Sequence, residues 1–209
     1  MAIIANGQNF TKVSNFSKVI KDTNDYILKE VDSVYYYTYG NEPKNDFALD
    51  TIKIHKENGV LKLPLINGKL ITFIDSLKPI DDLHMCWYDY NGENGKLNYY
   101  LVSGHFYEWD FTYLINKRNG KIDTLETTPI FSPSDLFYGY AYSNELTWNN
   151  NVTFKNLKTN KTNKIILENE LPQEFKWIDD YHFLFYTILY DKKTESFSVL
   201  KYYLVGIKK

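Results

Sequence analysis

Arginine is almost missing from this chain: Arg118 is the only one among 24 basic residues in a sequence of 209. The forked guanidinium is what phosphate and nucleic-acid sites lean on, and a net charge of −2 gives no general pull on a polyanion. Nucleic acid is therefore not an expected partner. Cysteine is as scarce, Cys86 alone in Met85-Cys86-Trp87, so no internal disulfide forms. Beside Met and Trp that thiol reads as a small buried hydrophobe rather than a reactive group. Helix-favouring alanine is rare, and no run has the length and apolarity of a membrane span.

Catalytic signatures are missing too. The sequence holds no Gly-x-Ser-x-Gly, no phosphate-cradling glycine loop and no dinucleotide fingerprint. Its four histidines, His55, His84, His105 and His182, are scattered, with no i, i+4 pair of the kind that binds zinc on a helix. No metal and no cofactor is expected.

What the chain has in abundance is aromatic surface: 19 Tyr, 13 Phe and 4 Trp, 17% of all residues. Flat rings pack well on a pleated, half-buried surface, so this composition favours strands. A hydrophobic content of 44% with 24% charged residues is the balance of a folded globular chain. Turn signals recur roughly every eight to twelve residues between aromatic or β-branched runs, the grammar of all-β folds. The sharpest is Asn67-Gly68, which predicts a hairpin between Val60–Leu65 and Lys69–Ile74 because both turn residues tolerate positive φ. Strands are also expected over Val34–Tyr39, Leu49–His55, His84–Tyr90, Leu97–Val102 and Phe106–Ile115. One short helix is expected between Phe10 and Glu30, where Val13, Phe16 and Ile20 have helical spacing and Ile27, Leu28 and Val31 continue it. The expected fold class is all-β, built of antiparallel sheets.

The chain start reads differently. Ile3-Ile4-Ala5-Asn6-Gly7-Gln8 is an apolar piece followed by small residues at alternate positions, like the end of a secretory signal. Residues 1–8 are read as that remnant, residues 9–209 as one β-rich domain, and the protein as periplasmic or secreted. An ordinary N-terminal strand is the plainer alternative. Four triplets, Asp32-Ser33-Val34, Asp50-Thr51-Ile52, Asp75-Ser76-Leu77 and Asp123-Thr124-Leu125, are similar to acceptor sequences of some bacterial periplasmic O-glycosylation systems. They point the same way.

One stretch occurs twice in outline, Tyr113 to Tyr142 and Thr153 to Tyr190. Each copy runs through an apolar segment, a turn rich in Asn and Lys, a second apolar segment, a proline (Pro129, Pro172), a phenylalanine (Phe131, Phe175) and an aromatic run. Gly120 precedes Asn160 by 40 positions and Phe131 precedes Phe175 by 44, the length of a four-stranded propeller blade. Phe131-Ser132-Pro133-Ser134-Asp135, following Thr128-Pro129, resembles the Ser-Pro-Asp turn of TolB-like and WD40-like propeller blades, with Ser134 inserted before the acidic residue. The second copy has Lys176-Trp177-Ile178-Asp179-Asp180 there instead. The resemblance covers about the last hundred residues and implies a propeller-like fold, partial or small, since closure needs about four blades.

For function, the candidates are few. Glu108 and Asp110, around Trp109 and just after His105, would share one face of a strand, and carboxylates beside Tyr107 and Trp109 suit a glycan-acting hydrolase. Neighbours two apart on one strand do not by themselves flank a sugar bond, and a solvated face is the more ordinary use of such charges. Tyr107, Trp109, Tyr113 and Trp148 are the binding candidates, with Tyr35–Tyr39 as further rings for a protein or glycan. The lysine series Lys155, Lys158, Lys161, Lys164 is interleaved with Asn and Thr and reads as a hairpin tip rather than a basic stripe. The resulting expectation is a non-catalytic binding or protein-interaction module of an exported bacterial protein, of which a toxin-neutralising immunity protein is one version. The competing class is a glycan hydrolase using Glu108 or Asp110.

Overall fold

The computed structural model describes residues 17–40, 42, 46–76, 85–144, 147, 149–191 and 196–209. Its strands pair antiparallel, and one short helix interrupts them. The chain divides into two compact units, Met1–Pro43 with Ser132–Lys209, and Lys44–Phe131. The signal-like residues 1–8, His84 and Trp148 lie outside the described residues.

Where a helix was expected, residues 17–31 form a hairpin of β1 (Ser17–Asp22) and β2 (Tyr26–Val31). A polar turn decides this: Thr23 Oγ1 accepts the amides of Asp25 at 3.2 Å and Tyr26 at 3.0 Å, closing the reversal locally. Tyr26, Leu28 and Val31 are buried on β2. The opposite correction follows at once. The tyrosine run expected as a strand is the helix α1 (Ser33–Thr38). Asp32 caps it, its Oδ1 accepting the Tyr35 amide at 2.7 Å, and the helical turn drives both Tyr35 and Tyr36 into the core. Burying two large rings outweighs the modest strand preference of the run.

In the unit Lys44–Phe131, the expected strand Leu49–His55 is absent from the described elements. Asp50 folds it into a turn, accepting the amides of Ile52 at 3.2 Å and Lys53 at 3.1 Å. Two Asp-Ser/Thr triplets thus begin with residues whose carboxylates close local structure, Asp32 and Asp50. The first sheet follows: β3 (Lys56–Glu57), β4 (Val60–Pro64) and β5 (Leu70–Ile74), the β4–β5 turn at Asn67-Gly68 forming as expected with Gly68 at φ 80°. The second is a four-stranded meander of β6 (Cys86–Asn94), β7 (Tyr99–Phe106), β8 (Asp110–Asn116) and β9 (Ile122–Leu125). β6 runs through Asn91-Gly92 on a bulge instead of turning there. Ile54, Leu61, Leu63, Tyr100, Val102 and Ile115 form this unit's core, with Phe73, Tyr88 and Tyr113 packed against it. The unit ends in β10 (Ile130–Phe131).

The other unit resumes with β11 (Phe137–Tyr142), β12 (Asn151–Asn156) and β13 (Thr162–Ile166), paired in sequence. β14 (Glu170–Trp177), β15 (His182–Asp191) and β16 (Ser196–Ile207) form a second meander in a separate sheet. β2 then pairs with β16, giving a five-stranded sheet in the order β1-β2-β16-β15-β14. Its core is a pile of rings in which Phe175 stacks on Phe183 at 4.6 Å, with Trp177 edge-on to both. Val31, Tyr35, Tyr36, Leu184 and Leu204 form a second cluster.

Two turns are built alike. Asn116 Oδ1 accepts the amides of Arg118 and Asn119, and Asn156 Oδ1 those of Lys158 and Thr159. Each turn ends on a left-handed residue, Gly120 at φ 74° and Asn160 at φ 59°. The lysine series is accordingly a hairpin tip, except that Lys155 is buried, its ammonium 5.8 Å from the Tyr138 ring centroid.

Candidate functional site

The candidate carboxylates lie where the chain reverses. Phe106–Ile115 was expected as one strand, yet the Phe106 amide donates to Trp109 O at 2.8 Å and turns the chain at Tyr107-Glu108. No Gly, Pro or Asn marks this reversal, which is why the sequence pattern hides it. Glu108 therefore sits at the tip of a turn and Asp110 at the start of β8, so the two do not share a strand face.

The turn delivers something else. β6, β7 and β8 place Trp87, His105 and Asp110 directly opposite one another, on one face because side chains alternate along each strand. The Trp87 and His105 rings stack at 5.1 Å with 19° between planes. His105 Nδ1 lies 3.0 Å from Asp110 Oδ1, and Nε2 lies 3.4 Å from Asp89 Oδ2. Asp89 also lies 3.5 Å from Lys56 Nζ, which pairs with Asp75 at 2.8 Å and donates to Tyr88 O at 2.8 Å. Burial works against the charge on Lys56, but Asp75 and Asp89 outweigh it and hold its pKa above the ordinary value. At the turn beside this network Tyr107 and Trp109 stand in water, 57% and 42% exposed.

Of the four binding candidates, then, Tyr107 and Trp109 are at the surface. Tyr113 is packed against Phe73 at 5.6 Å in the core on the other face of the sheet, and Trp148 lies outside the described residues. Sequence reading missed Trp87 and Asp89, which join the site only through cross-strand register; the alternation Trp87, Asp89 along β6 was the sole signal.

Asp89 and Asp110 take opposite nitrogens of His105, so these three side chains do not converge on one point, and among the described residues no group of three His, Cys, Asp or Glu could hold a metal ion. Ser103, the hydroxyl nearest in register, accepts from Asn91 Nδ2. A shallow groove elsewhere on the same unit is lined by Lys53, His55, Glu57, Asn58, Val60 and Lys62, its His55 and Glu57 paired at 3.0 Å.

In the other unit the tyrosines of α1 part company. Tyr36 is buried, its hydroxyl donating to Glu174 Oε2 at 2.7 Å, whereas Tyr37 is 69% exposed beside Tyr202 at 5.9 Å. Burial, the Glu174 hydrogen bond and the Glu174 charge push the Tyr36 phenol well above the tyrosine range.

Comparison of the chain with protein-family models, with curated proteins and with solved structures found no match.

Proposed function

We propose that this protein is a non-catalytic binding module of an exported bacterial protein, meeting a protein or glycan partner through the face at the β7–β8 turn. One observation carries this reading: the exposed rings of Tyr107 and Trp109 adjoin the Trp87–His105–Asp110 row, and large exposed rings are what interfaces use as anchors. A toxin-neutralising immunity role is the specific version, drawn from fold-level association alone. Hydrolysis has less support: Glu108 lies at a turn tip and Asp110 is engaged by His105.

The same proposal takes the fold as propeller-like. Successive antiparallel meanders, the alike turns at Asn116 and Asn156, and the completion of the last sheet by β2 support it. So does the Asp180 carboxylate, which accepts the Ser134 amide at 2.7 Å and ties together the two turns compared with blade motifs. The exported location in this proposal is supported by the signal-like pattern of residues 3–8.

The test combines glycan-array binding with polysaccharide turnover for the wild type, a Tyr107→Ala/Trp109→Ala double variant and Glu108→Gln. Binding that is lost with the rings and kept in Glu108→Gln is the expected result. Turnover of any glycan that Glu108→Gln abolishes overturns the binding-module reading.

A further inference from the structure

The Asp-Ser/Thr-aliphatic triplets have no part in the ring-bearing face, yet they are over-abundant. Five of the 15 aspartates are followed by Ser or Thr, although those two types make up only 25 of 209 residues, and in four of the five an aliphatic residue comes next. In the structure Ser33, Thr51, Ser76 and Thr124 are all exposed. Exposure is not general for such hydroxyls: Thr112, Ser132, Thr153 and Thr187, outside the triplets, are buried.

Access to a whole triplet separates the four. In Asp75-Ser76-Leu77 the Asp75 side chain is 5% exposed, held by Lys56 Nζ at 2.8 Å and accepting the Tyr88 amide at 2.9 Å, and the Ser76 backbone is bridged to Cys86. In Asp123-Thr124-Leu125 the leucine is buried and the segment is β9, paired along β8. Asp32-Ser33-Val34 enters the first turn of α1, which cannot open without lifting Tyr35 and Tyr36 from the core. Of the four, Asp50-Thr51-Ile52 stands clear.

The ends of that loop are pinned, Ala48 by its bridge to Glu93 and Ile54 by burial in the core. Between them residues 49–53 project, closed by local bonds: Asp50 Oδ1 accepts the Ile52 and Lys53 amides, and Asp50 O accepts the Ile54 amide at 3.2 Å. The surface around Thr51 also lacks cover. Leu49 and Ile52 are 61% and 91% exposed, so two large aliphatic side chains stand in water on one short loop, where such a patch marks an attachment or contact site.

We infer that Thr51 is the acceptor of an O-linked glycan, a bulky solubilising group whose sugar ring would lie over Leu49 and Ile52. In the transfer the Thr51 hydroxyl oxygen attacks the anomeric carbon of a sugar carried on a lipid pyrophosphate. The bond from that carbon to the phosphate oxygen breaks, the lipid pyrophosphate leaves with the electron pair, and the hydroxyl proton passes to a base of the transferase. The inference rests on the exported location proposed above and goes beyond it to a named residue.

The full chain is recovered from its native host by cell fractionation, and its intact mass and the peptide containing Thr51 are measured. The exported protein is expected to carry a mass excess of at least one sugar, located at Thr51. Thr51→Ala should lose that excess. So should Asp50→Asn, whose amide oxygen still accepts the Ile52 and Lys53 amides, so that the loop keeps its shape while the acidic residue is gone. Ser76→Ala and Thr124→Ala should leave the excess unchanged. An exported protein with Thr51 bare, or an excess that either Thr51→Ala or Asp50→Asn leaves whole, overturns the inference and not the exported location. An unmodified protein confined to the cytoplasm overturns both.

Discussion

The Tyr203 hydroxyl donates to the Glu170 carboxylate at 2.7 Å, across the sheet formed by β14, β15 and β16. Thr187 Oγ1 donates to the same carboxylate at 2.8 Å and Lys201 Nζ at 2.7 Å. Tyr203 and Thr187 are buried, so the charge on Glu170 is satisfied inside the protein rather than by water.

Glu170→Gln is expected to destabilise the protein by about 2 kcal/mol, because Lys201 and Tyr203 lose a charged acceptor in a partly buried site. Urea unfolding at neutral pH measures it. Burial disfavours the Glu170 charge, but the bonds from Lys201, Tyr203 and Thr187 prevail and lower its pKa below the ordinary 4.5. The folded value being depressed, the contribution is fully present above pH 4.5 and is lost as pH falls through the lower folded value. The stability difference between wild type and Glu170→Gln should therefore shrink on acidification below that point.

Gly139→Ala is expected to cost about 1–3 kcal/mol, by the penalty of overpacking a filled core. A methyl there would lie 2.8 Å from Phe175 Cε2, and Phe175 is held by Trp177 and Phe183 with 2% exposure. Thermal unfolding reports it, and the room opened by the smaller side chain of Phe175→Leu is expected to rescue part of the loss.

The alike turns give a matched pair of tests. Asn116→Ala and Asn156→Ala each remove an acceptor for two turn amides and are each expected to cost about 1 kcal/mol. Asn160→Gly, at φ 59°, is expected to change stability by less than about 0.5 kcal/mol, while Gly120→Val at φ 74° destabilises by about 2 kcal/mol, since a branched side chain strains that conformation. Denaturant midpoints of the four variants decide this.

Trp109→Ala and Tyr107→Ala should leave stability within about 0.5 kcal/mol of wild type, as exposed turn residues do. Tyr113→Ala, on the core side of β8, should cost about 3 kcal/mol. Circular dichroism melts separate the two groups, and a Trp109→Ala variant as unstable as Tyr113→Ala would remove the case for an exposed binding ring.

The sequence by itself determined the all-β class and those turns whose chemistry is local. Asn67-Gly68 and the Asn116 and Asn156 turns are legible because a side chain and its own next few amides suffice to build them. Only the tertiary structure decided the rest. Val34–Tyr39 has strand-forming residues but becomes α1, because a helix lets Tyr35 and Tyr36 both reach the core beside Leu184 and Leu204, residues far along the chain. The reversal at Tyr107-Glu108 carries no turn residue and is imposed by the pairing of β7 with β8. The site itself is a product of register: Trp87, His105 and Asp110 meet because three strands align, and alignment depends on burying the opposite face, a constraint that no single segment of sequence contains.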